Sequence, residues 1–213
     1  MIVPAAPPAL VGAAPRSLEG LLHRFEPLVL PVSAAQAAVT VVLREGTHEV
    51  ETLLIERTAH PEDPASGQVA LPGGHVGEGD GSLVTTALRE LEEEVGLTAT
   101  DLNGPLWYVT TQFAARFGIH VAVFAAPLAE AAGTPSPRSV EEVAHVFWLP
   151  RSALGVTQRV HRETPQGWRE FNASIVDGHV LWGFTRRVLR QFFELPTEDD
   201  LVGPSFAHVN PLA

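Results

Sequence analysis

The sequence predicts an α+β fold in which helices cover a mixed β-sheet, and three observations carry that expectation. Candidate elements run β-β, loop, α, β-β-β, α, an order too irregular for repeated strand-helix units. The first strand candidate, the AAVTVVL run within 36–43, is β-branched and apolar on both faces, as in a strand covered from both sides. A helix candidate over 83–95 repeats Leu83, Ala87, Leu91 and Val95 on one face and is acidic on the other, the pattern of a helix lying on a sheet.

The elements are justified in chain order. A chain of 213 residues, 45% of them apolar, can fill one good-sized core, so one domain with tails is expected. Residues 1–32 form an N-terminal arm: its first fifteen are Ala/Pro-rich, without the basic start and unbroken apolar stretch of a signal peptide. A short helix follows over 18–25, where Leu18, Leu21, Leu22 and Phe25 recur at helical spacing until Pro27 and Pro31 end it. The main domain spans 33–195. The strand over 36–43 turns through 44–48, which contains Gly46, into a partner over 49–57. Residues 59–81 hold too many prolines and glycines for regular structure beyond a short strand at 68–71; this is a loop built to approach something. The helix over 83–95 has Ser82 as N-cap and Gly96 as C-cap. Strands are expected at 106–112, 119–128 and 143–149, a polar segment fills 158–172, and a last helix covers 181–193. Residues 196–213 are a C-terminal tail.

Composition excludes several classes. Acidic residues outnumber basic ones by 25 to 14, a net charge of −11, which disfavours a nucleic-acid surface and requires cations to bring in any polyanionic substrate. With no cysteine there is no disulfide framework, thiolate nucleophile or Cys-based zinc site. No uncharged apolar run of about 18 residues is present to span a bilayer, so a soluble, cytoplasmic protein is expected, with no membrane partner.

The acidic helix carries the chemistry. Glu90, Glu93 and Glu94 stand at i, i+3 and i+4, which puts three carboxylates on one helical face. Their mutual repulsion costs a few tenths of a kcal/mol per pair. A hard divalent cation with oxygen ligands, magnesium or manganese, would offset it; from spacing alone, a solvated acidic face is an equal reading.

The flanks add a resemblance. GGHVGEGDGSLVTTALRELEEEVGL, Gly73 to Leu97, resembles the Nudix box, and its second half, Arg89 to Leu97, matches that pattern at every specified position. The resemblance implies a Nudix-type α/β/α sandwich with a mixed sheet between helices, and a metal-dependent pyrophosphohydrolase. It makes Glu90, Glu93 and Glu94 the ligands of Mg²⁺ or Mn²⁺, with Arg89 orienting a loop carboxylate and Gly74 letting backbone come close to metal and phosphate. The segment from Gly74 to Arg89 is one residue longer than in the common box, so the loop carboxylate is Asp80 or Glu78, or is absent. Catalysis would then rest on Glu90, Glu93, Glu94 and Arg89, with Glu90 both ligand and candidate base.

Upstream, Leu53 to Thr58 and Ser66 to Gly74 resemble the coenzyme A pyrophosphatase branch of that family, as do Phe117 to Val121, Glu142-Val143 and Leu181 to Thr185. The branch implies cleavage of coenzyme A or its acyl esters into 3′,5′-ADP and 4′-phosphopantetheine, and Arg57, Gly73 and Gly74 become the substrate-binding residues. Two positions depart from it: Asp63 stands where the branch carries arginine, and Leu71 where it carries phenylalanine. The expected partner is a small nucleoside diphosphate derivative, coenzyme A first; ADP-ribose, NADH, a dinucleotide or a damaged nucleoside triphosphate is the alternative within the family, and a non-catalytic Nudix-fold ligand-binding module the alternative outside catalysis. A homodimer is compatible with the sequence. Glu142 is either a further ligand or base from a loop or a solvated glutamate. His75 is either a phosphate contact or an exposed loop histidine. His120 is expected to be packed or hydrogen-bonded within the fold, Trp182 to be core, Trp107 and Trp148 to be core or interface, and Trp168 to be exposed or to line a pocket.

Overall fold

The computed structural model describes residues 17–60, 66–164, 167–196 and 201–202; Asp63, the first sixteen residues of the arm and most of the tail lie outside these. The chain forms α1 (Leu18–Leu22), β1 (Ala37–Glu45), β2 (Val50–Arg57), β3 (Val69–Ala70), β4 (Gly73–His75) and α2 (Leu83–Val95). There follow β5 (Trp107–Ala114), β6 (Ile119–Pro127), β7 (Val143–Pro150), β8 (Gln158–Thr164), β9 (Gly167–Val176), β10 (His179–Trp182), α3 (Gly183–Phe192) and β11 (Leu201–Val202).

The first sheet has seven strands and is mixed, with a central path β3-β2-β1-β6-β5, β4 on β1 and β7 on β2. β1 and β6 are parallel, with Ala37 opposite Val121 and Leu43 opposite Pro127. β1 pairs with β2 only over residues 43–45 and with β4 over 37–39, so the sheet divides at the middle of β1. Strand alternation sends side chains to two cores. Ala38, Val42, Leu53 and Ile55 pack with Leu83, Ala87 and Leu91 of α2. Val41, Leu43 and Leu54 pack with Leu21 and Leu22 of α1 and Val188, Leu189 and Phe192 of α3. These layers give the α+β architecture expected, and β1 is buried on both faces as its composition requires.

Four expectations need correction. The proline- and glycine-rich stretch holds a second short strand, β4, because the glycines lie flat against β1, where backbone pairing needs no side chains. The polar segment at 158–172 is strand: β8 and β9 form an antiparallel hairpin that β10 and β11 extend into a second, four-stranded sheet. The last helix begins at Gly183 and not at 181. Leu181 and Trp182 belong to β10, and Gly183, at φ 60°, turns the chain into α3 in a conformation that side-chain-bearing residues avoid. Leu181 fits a helical period with Phe184 and Val188, which is why spacing alone extends the helix too far. The first helix likewise stops at Leu22, before Phe25, which stacks on Phe192 with ring centroids 5.5 Å apart. No helix among the described residues is long and apolar enough to cross a membrane.

Candidate active site

Helix α2 sets the site. Ser82 Oγ accepts from the Thr85 amide at 3.1 Å, and Gly96, at φ 73°, closes the far end, its amide donating to the Glu92 and Leu91 carbonyls. With both ends fixed and Leu83, Ala87, Leu91 and Val95 buried, the rotation of the helix about its axis is determined. That rotation splits the three glutamates. Glu94 is turned inward and only 1% exposed, Glu90 is half-buried, and Glu93 is exposed.

Strand β4 lies directly against this face. The Gly73 amide donates to Glu94 Oε2 at 2.8 Å. A Cβ added to Gly74 would fall 2.5 Å from Glu90 Oε1, so only glycine lets the strand come this close. Arg57, at the end of β2, brings Nη1 to 3.9 Å from Glu94 Oε1. Glu142 precedes Val143, the residue paired with Arg57, and its negative charge acts on both Glu90 and Glu94. Burial pushes the Glu94 carboxyl up to about 8; the Gly73 amide and the Arg57 charge oppose the shift, and Glu90 and Glu142 add to it. Burial also raises Glu90, against the pull of Arg89.

Arg89 is the organising cation. Its Nη1 donates to Glu90 Oε1 and Glu93 Oε2, each at 2.8 Å, and its Nη2 to the His75 carbonyl at 2.9 Å and Asp80 Oδ2 at 3.1 Å. Asp80 also accepts from the Gly77 amide and the Thr86 hydroxyl, both at 2.8 Å. The Arg89 hydrogen bonds, with these two, hold the Asp80 carboxyl down to about 2, while Asp80 in turn raises the Arg89 guanidinium. Of the two loop carboxylates open in the sequence, Asp80 is the one on Arg89; Glu78 is exposed. The extra residue in the loop is absorbed without losing this ion pair.

The fold thus brings Arg57, Gly73, Gly74, Arg89, Glu90 and Glu94 together, with Glu93 at the rim on Arg89. Among the described residues, no three acidic or imidazole side chains converge as a preformed metal cage. His75 is exposed, and its carbonyl, not its ring, is engaged by Arg89. His120 is exposed at the start of β6 with its ring 5.2 Å from that of Phe113. Trp107 and Trp148 are half-buried against the core, Trp148 under the Arg44 guanidinium at 4.1 Å. Trp168 is 51% exposed. Trp182, expected in the core, is half-buried and lines a cleft between the two sheets. Sequence reasoning missed His179, whose Nδ1 lies 2.7 Å from Glu56 Oε2, and Arg162, which lines the same cleft; β8 has no apolar pattern to reveal it, and the apolar Leu181 of β10 fits the period of the helix that follows.

A glycine strand pressed on the carboxylate face of a capped helix, with an arginine locking the intervening loop, is the geometry that the segment from Gly73 to Leu97 builds. Residues 34–171 match the NUDIX domain model. A relative in Yersinia pestis (strain Pestoides F), described as an uncharacterized Nudix hydrolase NudL, is 33% identical over 146 residues, covering 65% of this chain and 69% of its own. The protein of that description in Yersinia pseudotuberculosis serotype O:1b (strain IP 31758) matches equally, at 33% over 146 residues and the same shares. Among solved structures, a MutT/nudix family protein from Enterococcus faecalis superposes with a TM-score of 0.52 at 18% identity, over 75% of this chain and 61% of that one, a likeness of fold. The chain belongs to the Nudix family and is a pyrophosphohydrolase. Enzymes of this family generally use divalent metal ions.

Proposed function

We propose that this enzyme hydrolyses the pyrophosphate bond of coenzyme A or an acyl-coenzyme A, giving 3′,5′-ADP and 4′-phosphopantetheine, with Mg²⁺ or Mn²⁺ held by Glu90, Glu93 and Glu94. The observation that carries the reading is where the branch-like segments sit. The segment Leu53 to Thr58 carries Arg57, beside Glu94, and the segment Ser66 to Gly74 ends at the two glycines that touch Glu94 and Glu90. Two of the five segments that resemble the branch therefore border the carboxylates.

The donor set fits a hard divalent ion. Glu94 is buried with its carboxyl raised, and Glu90 and Glu142 add negative charge close by; an oxygen-ligated cation relieves all three. Once bound, such an ion supplies screening of the phosphate oxygens and acidification of water. The chain's own residues do the rest. Gly74 keeps the strand clear of side chain so that a phosphate can approach Glu90. Arg57 provides a cation on the strand end beside Glu94 to orient a phosphate. The Arg89–Asp80 pair fixes the loop between Gly74 and α2, and Arg89 holds Glu90 in place through its 2.8 Å bond. Glu90, with a raised carboxyl, is ligand and candidate base, and Glu142 is a second candidate from the start of β7. No covalent intermediate is needed.

The test is a substrate panel of coenzyme A, ADP-ribose, NADH and 8-oxo-dGTP compared by kcat/KM with Mg²⁺ and with Mn²⁺. Coenzyme A is expected to give the highest value. Efficient hydrolysis of another member with coenzyme A untouched would remove the substrate assignment and leave the pyrophosphohydrolase.

A further inference from the structure

The start of β7 is irregular where it meets β2. Glu56 faces His145 and Arg57 faces Val143, so Ala144 is an extra residue that bulges out of the ladder. In an unbroken ladder Val143 would stand opposite Thr58. The bulge advances the chain by one residue and brings Glu142 there instead, with the Thr58 amide donating to the Glu142 carbonyl at 2.9 Å. A bulge beside an active site re-aims the chain locally. Here it displaces the residue whose negative charge acts on Glu90 and Glu94.

Burial does not hold the segment that carries Glu142. Val140, Glu141 and Glu142 are exposed, Val140 to 74% although its side chain is apolar. Hydrogen bonds from two elements hold it. At its front, the Ser136 and Arg138 amides donate to the Val95 and Glu94 carbonyls at 3.2 and 3.0 Å, which ties it to the last turn of α2. The Glu142 and Val143 amides then donate to the Ser139 carbonyl at 3.0 and 2.8 Å and close a turn. Onto that turn the Thr58 hydroxyl donates, at 2.9 Å to the Val140 carbonyl. Thr58 therefore grips the segment twice, at 140 and at 142, on either side of Glu141.

Electrostatics supplies the need for such a grip. Glu142 adds a third negative charge to those of Glu90 and Glu94, and like charges at close range repel. An exposed turn under that repulsion relaxes outward unless a fixed element opposes it. Thr58 is such an element: it follows a stretch of β2 in which Leu53, Leu54 and Ile55 are fully buried, so its own place is set by the core. Its side chain suits the task, being stiff at χ1 and carrying one hydroxyl donor.

We propose that Thr58 is a positioning residue of this enzyme, whose hydroxyl clamps the turn over 139–142 so that Glu142 stays beside Glu90 and Glu94 as a metal ligand or base. The proposal rests on the reading of Glu142 as a working carboxylate and not on coenzyme A as the substrate. A misplacement of about 1 Å near the reacting atoms costs up to ~10²-fold in rate, so one hydroxyl bond is enough to matter.

A double-mutant cycle over Thr58→Val and Glu142→Gln tests it, since valine keeps the branched shape and removes only the hydroxyl. Turnover is followed on whichever pyrophosphate of the panel the wild type hydrolyses fastest, and Mn²⁺ binding to the substrate-free protein by calorimetry. Glu142→Gln is expected to lower kcat at least about tenfold and to weaken Mn²⁺ binding. Thr58→Val should lower kcat about five- to twentyfold and weaken Mn²⁺ binding in the same direction, with KM within about twofold of wild type. Its Tm should fall by no more than about 4 °C. Thr58→Ser, which keeps the hydroxyl, should recover most of the loss. In the Glu142→Gln background, Thr58→Val should change kcat and Mn²⁺ affinity by less than about twofold, because the residue it positions has lost its charge. A Thr58→Val loss that is as large without Glu142 as with it would mean a structural role and overturns the proposal. Full activity in Thr58→Val beside an impaired Glu142→Gln overturns it too, and leaves the reading of Glu142 standing. Wild-type turnover and Mn²⁺ affinity in Glu142→Gln removes Glu142 from the site, and the role of Thr58 with it.

Discussion

Replacing Glu94 with Gln isolates the electrostatic cost of the site. In the wild type this carboxyl is raised from 4.5 to about 8, so the folded protein binds a proton there that the unfolded chain releases. The sign follows by linkage: a group whose folded value lies above its unfolded one destabilises the fold progressively as pH rises between the two. Across that window the metal-free protein is expected to lose on the order of 3 kcal/mol through Glu94. Gln keeps an oxygen for the Gly73 amide, removes the titration, and leaves the shape nearly unchanged. Metal-free Glu94→Gln should therefore melt close to wild type at pH 5 and on the order of 5–10 °C above it at pH 8, using about 2–4 °C per kcal/mol for a domain of this size. Differential scanning calorimetry in chelator at both pH values measures this. Added Mg²⁺ should then raise the wild-type Tm at pH 8 and leave the variant unmoved, because the charge that holds the ion is gone. A gap between variant and wild type that is the same at pH 5 and pH 8 would refute the reasoning, since it would mean that Glu94 does not titrate between them.

The two box glycines should fail differently. Gly74→Ala drives a Cβ against the Glu90 carboxylate, the far end of a flexible side chain, so kcat should fall at least about tenfold with Tm nearly kept; a Cβ at Gly73 overlaps the Ala38 carbonyl at φ 146°, so Gly73→Ala should cost several kcal/mol and be read as poor folding by circular dichroism. Asp80→Ala strips Arg89, Thr86 and the Gly77 amide of a shared acceptor, and is expected to cost about 1–3 kcal/mol by urea denaturation together with loss of kcat. Because Asp80 is held down to about 2, its share of stability is present above about pH 4 and is lost as pH falls towards 2; a wild-type acid transition unchanged in Asp80→Asn would contradict this. Glu93→Gln, at an exposed rim position, should leave metal-free stability within about 0.5 kcal/mol while weakening Mg²⁺ binding followed by calorimetry; unaltered affinity would remove Glu93 from the ligand set.

What the sequence determined by itself is local. Helix α2 was legible to the residue because its signals are short-range: an N-cap serine, a C-cap glycine, and a four-residue apolar repeat fix its ends and its buried face together. The strands β1, β2, β5, β6 and β7 were legible because each carries apolar residues wherever it meets one of the two cores. The box residues around Arg89 and Glu90 could be named for the same reason, since their spacing is a property of one helix and one loop. Spacing could not rank the three glutamates. Glu93 and Glu94 are adjacent in sequence, yet one is exposed and the other 1% exposed, because the rotation of α2 under β4 decides which meets the Gly73 amide. Nor could it choose between Glu78 and Asp80, which the reach of Arg89 from a neighbouring element decided. The second sheet was invisible for a related reason. β8 and β9 are held by pairing with each other, by the pairing of β9 with β10 and β11, and by packing of β9 on α3, with little side chain fully buried between Gln158 and Asn172, so no period-two pattern betrays them. Strand pairing is a contact between backbones distant in sequence, and only the tertiary structure states which backbones meet; that is where the cleft with Arg116, Arg162 and Trp182 was made.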